Sequence, residues 1–167
     1  MYSLLCLFKG GVFMHTFHVS SIGTVHNTRK TPEDDYWGEV VSEIRLNNDW
    51  DESSLDGIDA FSHVEIIFLF HLVSDDQVQY TARHPRNNTT YPKVGIFAQR
   101  GKNRPNKMGL TTVELIERDG SSIFVKGLDA IDGTPVLDIK PVMSEFLPKG
   151  KVKQPKWSTE LMMNYWE

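Results

Sequence analysis

The chain has 167 residues, one cysteine and a formal net charge of −4 at pH 7. A chain of this length buries roughly 70% of its unfolded surface in one domain, so its core needs no disulfide or metal. With Cys6 the lone cysteine, an intramolecular disulfide and a cysteine-rich zinc site are excluded, and 40% hydrophobic against 24% charged residues excludes wholesale disorder.

Met1 to Phe13 lacks the charged start, long apolar stretch and small-residue cleavage site of a signal peptide, so residues 1–14 are expected as an N-terminal extension. Thr16 to His26 is rich in β-branched residues and reads as a strand, with Gly23 a candidate bulge. Trp37 to Leu46 alternates Val40, Ser42, Ile44 and Leu46 on one parity, a second strand. Asn47 to Ser54 is a polar loop, Asp56-Gly57 a turn, and Ile58 to Phe61 a short helical turn. His63 to Leu72 is a β-branched and aromatic run that predicts a central strand buried on both faces. The longest apolar run, Val64 to Val73, is ten residues and contains Glu65 and His71, short of the ~18 of a membrane helix.

Asp75 to Pro92 is irregular. Val94 to Gln99 and Leu110 to Glu117 read as strands, and Asp119-Gly120 turns the chain into another over Ser122 to Leu128. Asp132-Gly133-Thr134-Pro135 is a turn before the strand Val136 to Lys140. A basic linker and a helix from Pro155 to Trp166 follow, with Trp157, Leu161 and Tyr165 as its apolar stripe. The expectation is a mostly-β protein: a small antiparallel barrel of about seven strands over 15–148, then a linker and C-terminal helix over 149–167.

The net charge hides an asymmetry. Gln77 to Val113 contains Arg83, Arg86, Lys93, Arg100, Lys102, Arg104 and Lys107 and no acid, leaving 11 of the 18 cations to face all 22 anions elsewhere. Such a stripe suits a phosphate- or carboxylate-bearing ligand, or else pairs with acids brought up by the fold. Phe97, Tyr91, His84, Asn87, Asn88, Asn103 and Asn106 lie among the cations and offer stacking faces and hydrogen-bond edges, as nucleotide binding requires.

Several chemistries are excluded. No Gly-x-Gly-x-x-Gly follows a predicted strand, and no Walker loop or Gly-x-Ser-x-Gly elbow is present. His63-Val64-Glu65 lacks the two cysteines a zinc deaminase needs, and the six histidines show no paired ligand spacing, so no metal is expected.

Four segments remain: Phe61-Ser62-His63 running into Phe68-Leu69-Phe70-His71; His84-Pro85-Arg86; Gly95 to Arg100 continuing through Arg104-Pro105-Asn106-Lys107-Met108-Gly109-Leu110-Thr111; and Leu128 to Pro141 with its Asp-Gly-Thr-Pro-Val-Leu-Asp-Ile-Lys-Pro run. This set resembles the TrmO family, also called TsaA- or YaeB-like, over roughly Ser20 to Pro141. The resemblance implies an S-adenosylmethionine-dependent tRNA methyltransferase built on a small β-barrel. It implies a homodimer with the cofactor near the subunit interface, and methyl transfer to the exocyclic nitrogen of threonylcarbamoyladenosine beside the anticodon; the lone Cys6 fits a reducing, cytoplasmic setting. Carried over by motif, the cofactor contacts fall on His71, Leu72, Arg100, Leu110 and the Leu128–Thr134 turn with Asp129, Asp132, Gly133 and Thr134.

The residue chemistry is compatible with these roles. Arg100 can pair a carboxylate in a bidentate fork, and Asp129 or Asp132 can accept from a ribose diol or an ammonium. Gly133 allows a tight turn close to a ligand, and Leu110 and Leu128 can wall an adenine. Arg83, Arg86, Lys102, Arg104 and Lys107 are the candidate contacts to RNA phosphates, and Asp138 or a backbone carbonyl is the candidate proton acceptor. The chain departs from the family pattern at Gly101-Lys102-Asn103, at Lys107-Met108 and over Thr31–Tyr36, where an Arg-Gln-Pro segment is expected. The acceptor stays open between tRNA and a small molecule, and a non-catalytic RNA- or nucleotide-binding barrel is the reading from a different class.

Overall fold

The computed structural model describes residues 15–167; the expected extension over 1–14 lies outside the described residues. Among the described residues eight strands follow in order: β1 Gly23–His26, β2 Val41–Leu46, β3 His63–Leu69, β4 Ala82–Arg83, β5 Val94–Gly95, β6 Met108–Asp119, β7 Ser122–Lys126 and β8 Pro135–Pro141. One α-helix, α1 Lys156–Leu161, comes after them. Six strands close a barrel in the order β1-β2-β7-β6-β3-β8, every neighbouring pair antiparallel, while β4 and β5 form a separate two-stranded ribbon. Closure removes the open edges that a sheet of this size would otherwise expose.

Alternation fills the interior. Val25, Ile44, Val64, Ile66, Phe68, Val113, Ile123, Val125 and Val136 point inward and are buried, each contributing roughly 1.5–3 kcal/mol of apolar burial. The parity expected for Ser42, Ile44 and Leu46 is the buried parity of β2. Buried Ser42 accepts from Asn27 Nδ2 at 2.8 Å, so its hydroxyl is satisfied inside the core.

Several expectations change at the edges of elements. The first strand shortens to Gly23–His26, and 16–21 is exposed, with Phe17 and Val19 facing solvent. Gly23 is no bulge: it pairs in register with Leu46, and a Cβ there would meet the Arg45 carbonyl oxygen. β3 is buried on one face only, because a barrel strand has one inward face; Glu65, Ile67 and Leu69 are half-buried on the outside. Val94 to Gln99 is not a barrel strand but β5 plus a 3-10 turn over Ile96–Ala98, anchored by buried Ile96. The Asp119-Gly120 turn is as expected, with Gly120 in the left-handed region at φ 55°.

The C-terminal helix is shorter than its apolar stripe predicts. It stops at Leu161, and turns carry the chain on through Asn164 and Tyr165. Past Leu161 the bonds tighten to three-residue turns, Met163 N donating to Glu160 O at 3.3 Å and Tyr165 N to Met162 O at 3.1 Å, while Asn164 O accepts from Tyr36 N at 3.0 Å and Tyr165 O from Trp37 N at 2.8 Å, which ties this segment to the loop before β2. A Cβ on Gly38 would run into the Trp166 carbonyl, which makes glycine necessary for that approach.

In the β3–β6 pair Phe68 faces Gly109, and a Cβ on Gly109 would overlap the Phe68 ring. Gly109→Ala is therefore expected to displace the ring and destabilise the barrel by about 1–3 kcal/mol, measured as the shift of the urea denaturation midpoint.

Candidate functional site

β3 leaves the barrel at the end where β6 enters it, and the two are paired there with Leu69 opposite Met108. Beyond β3, Phe70 sits edge-on to Phe68 at 5.3 Å, and its N–H donates to Lys107 O at 2.8 Å. Before β6, Asn106 and Lys107 both lie in the left-handed region, at φ 64° and 51°. Such conformations cost about 1–3 kcal/mol each in a non-glycine residue, and this pair delivers the chain into Met108 and Gly109. Between these elements lies a cleft of about 190 Å³ lined by Phe68, Phe70, Arg100, Arg104, Met108, Gly109, Leu110, Thr111 and Asp129.

The cleft combines apolar walls with opposite charges. Arg100 donates to the Leu110 carbonyl, and Arg104 donates to Gln99 O at 3.1 Å. Neither guanidinium has a carboxylate partner among the described residues. Their loop is braced by Gln99, whose amide donates to Val94 O at 2.9 Å and Arg83 O at 3.2 Å. The cleft's acid is Asp129: one oxygen accepts from Thr111 Oγ1, the other from the Tyr165 hydroxyl. Burial, reinforced by the adjacent Asp129 carboxylate, pushes the Tyr165 phenol well above its ordinary range, so it is a neutral donor.

The residues expected from sequence divide. Arg100, Leu110 and Asp129 meet in the cleft, joined by Arg104. His71 and Leu72 follow Phe70 on the turn out of β3; Leu72 is exposed, and His71 Nδ1 is enclosed without a hydrogen-bond partner. Leu128 is sealed in the core, and its side chain presents no surface to a ligand. Asp132 belongs to a brace: it accepts from Asn27 N at 3.1 Å and pairs with Lys30 at 2.8 Å. Those two interactions, Lys30 first, hold its carboxyl below the usual range. Gly133, at φ 78°, and buried Thr134 complete the turn, with Gly133 N donating to Val25 O at 2.8 Å. Asp138 pairs with Lys140 at 2.6 Å, opposite Ile67 on the outside of β3, and is not among the cleft residues. Thr111 and Tyr165 were not legible as site residues. Thr111 stood inside a quoted motif, but the hydroxyl partners of Asp129 come from residues 18 and 36 positions away.

The basic stripe also divides. Arg86 makes a bidentate pair with Asp35 at 2.7 and 3.0 Å, Lys102 lies 4.0 Å from Asp34, and Lys107 pairs with Asp75. For these three the cations are met by acids that the fold brings up. Arg83, Lys93, Arg100 and Arg104 have no carboxylate partner among the described residues. Phe97, at 80% exposure, stands on the turn between them.

Fold and cleft define a small closed β-barrel with a polar ligand-sized cleft beside one mouth. A family model described as tRNA-methyltransferase O N-terminal domain matches residues 21–146, and the chain belongs to this family. A human protein named tRNA (adenine(37)-N6)-methyltransferase is 40% identical over 113 residues, 68% of this chain and 25% of that protein. A probable S-adenosyl-L-methionine-binding protein of Methanothermobacter thermautotrophicus is 35% identical over 127 residues, 74% of this chain and 88% of that protein. The crystal structure of TrmO from Pseudomonas aeruginosa superposes with a TM-score of 0.65 at 26% identity, over 82% of this chain and 61% of that one. The chain thus spans about a quarter of the length of the human relative.

The brace makes a pH-dependent prediction. A carboxyl whose folded pKa is depressed stabilises the fold above its unfolded value near 3.8, and that stability is lost as pH falls through the folded value. Asp132→Asn is expected to lower stability at pH 7, with the deficit shrinking as pH falls below about 3.8, in urea denaturation at each pH.

Proposed function

We propose that the protein is an S-adenosylmethionine-dependent methyltransferase acting on adenosine in tRNA, with the barrel-mouth cleft as its cofactor site. The observation that carries this reading is the pairing, within one cleft, of guanidiniums that have no carboxylate partner with a held carboxylate, between apolar walls. An amino acid end needs an anion receptor and a cation receptor a few ångströms apart, and an adenine needs apolar faces. Arg100 fits the carboxylate of the cofactor and Asp129 its ammonium, with Phe70, Met108 and Leu110 as apolar surface. The names of the human and archaeal relatives support the same reading.

Bound cofactor supplies a methyl group already activated on a sulfonium. The chain's own part is to fix the donor, exclude water behind Phe68 and Phe70, and align the acceptor nitrogen, for which no protein nucleophile is needed. We place the finer acceptor at threonylcarbamoyladenosine in the anticodon loop, in a cytoplasmic setting. Asp138, the proton acceptor expected from sequence, pairs with Lys140 and is not among the residues lining the cleft, so a backbone carbonyl is the acceptor we favour. A homodimer fits the outer face of the barrel: Leu110 lies opposite Ile67 and Met108 opposite Leu69, an apolar block that continues into the cleft wall. A second copy seated on it would border the cofactor.

Arg100→Ala is expected to weaken S-adenosylmethionine binding about tenfold or more by titration calorimetry. Absence of cofactor binding by the wild type would overturn the reading. Mass spectrometry of tRNA nucleosides after incubation with labelled cofactor identifies the acceptor; label in a small molecule, and none in tRNA, would move the assignment to the small-molecule reading.

For RNA the unpaired cations Arg83, Lys93 and Arg104, with Phe97 as a stacking face, are the contacts we favour. The joint variant Arg83→Glu, Lys93→Glu is expected to flatten the dependence of log affinity for tRNA on log salt by about 1–2 units. A non-catalytic RNA-binding barrel would show the same salt dependence with no response to cofactor.

A further inference from the structure

Tyr165 lies outside the residues that the family model matches, yet its hydroxyl reaches the one acid of the cleft. Asp129 and Thr111 line the cleft, and Tyr165 does not. The phenol and the threonine hydroxyl bond different oxygens of a carboxylate that itself lines the cleft. A carboxylate offers about four lone-pair sites, so one bond from Thr111 and one from Tyr165 still leave acceptor capacity facing the cleft.

Tyr165 is itself held at the backbone. The strap of residues 162–166 is tied to the loop before β2 by the Tyr36–Asn164 and Trp37–Tyr165 hydrogen bonds, and Gly38 seats the Trp166 backbone. Tyr91 packs near Trp157 of α1 at 6.5 Å, and the Tyr165 and Trp166 rings meet edge-on at 4.8 Å. The hydroxyl thus arrives on a segment fixed by main-chain bonds, which is the condition for a supporting hydrogen bond to orient the group it touches.

We propose that Tyr165 is a positioning residue: from outside the cleft it clamps Asp129 against Thr111, so that the carboxylate presents a fixed acceptor to the ammonium of an α-amino acid ligand. This rests on the reading of the cleft as an S-adenosylmethionine site and adds to it a role for the C-terminal strap. Specificity for the amino acid end of the cofactor would then depend on a residue that touches no ligand.

The test compares two probes by titration calorimetry: S-adenosylmethionine, and methylthioadenosine, which shares the nucleoside but lacks the amino acid. Tyr165→Phe keeps the ring and the backbone ties and removes only the donor. It is expected to weaken S-adenosylmethionine about tenfold and to change methylthioadenosine by less than about twofold. In an Asp129→Asn background the same substitution is expected to cost nothing further, since there is then no carboxylate to orient. Unchanged affinity for both probes, equal loss for both, or full additivity in the double variant would overturn the proposal while leaving the cofactor reading intact. Failure of the wild type to bind S-adenosylmethionine would overturn both.

Discussion

The pairing of β3 with β6 on one side and β8 on the other is the constraint on which the rest of the molecule depends. It closes the barrel and sets the site side chains of β3 and β6 to one face or the other. In this register Phe68 falls opposite Gly109, the only kind of residue that leaves room for its ring, and Phe70 emerges beside the entry of β6. A slip of one residue would turn Phe68 outward and remove the floor of the cleft, because side chains alternate along a strand. The cleft is thus a consequence of how the barrel closes.

Around that floor the charges are brought by irregular chain. Arg100 and Arg104 come from a loop braced by Gln99, and the left-handed pair Asn106–Lys107 turns that loop into β6. Asp129 comes from the loop after β7, the neighbour of β6, and is caught between a barrel threonine and a tyrosine of the C-terminal strap. Rigid strands supply the frame and loops supply the polarity, the usual division where function sits at the end of a barrel. The site joins the start of β6, the end of β3, the loop after β7 and the strap into one unit.

The basic stripe shows how a linear charge count and a surface field part company. Seven cations stand together in sequence without an acid, yet the fold carries Asp34, Asp35 and Asp75 up to three of them. What remains to meet an anionic partner is a smaller set around Phe97 and the cleft mouth. Exposed pairs of this kind contribute little stability, so their main effect is to narrow where the positive field points.

Much of the barrel was legible in the sequence because alternation is a local signal. The parity of Ser42, Ile44 and Leu46, the Asp119-Gly120 turn and the run into Phe68 each follow from neighbours a few residues apart. Arg100, Leu110 and Asp129, singled out through the long motifs that contain them, meet in one cleft. Local pattern misread what depends on distant partners. The stripe Trp157, Leu161, Tyr165 was consistent with one long helix, but past Leu161 the chain tightens into three-residue turns, and its Asn164 and Tyr165 carbonyls bond the distant Tyr36 and Trp37. Leu128 and Asp132, in the same motif as Asp129, went to the core and to a brace instead of the cleft, because a turn must send neighbouring side chains in different directions. The chain by itself determined a cysteine-poor, mostly-β domain with a basic stretch and the motifs of its family. Tertiary structure decided which cations keep their charge unpaired, which acid faces the cleft, and that a tyrosine 36 residues away holds it there, since only folding sets side chains distant in sequence within hydrogen-bond reach.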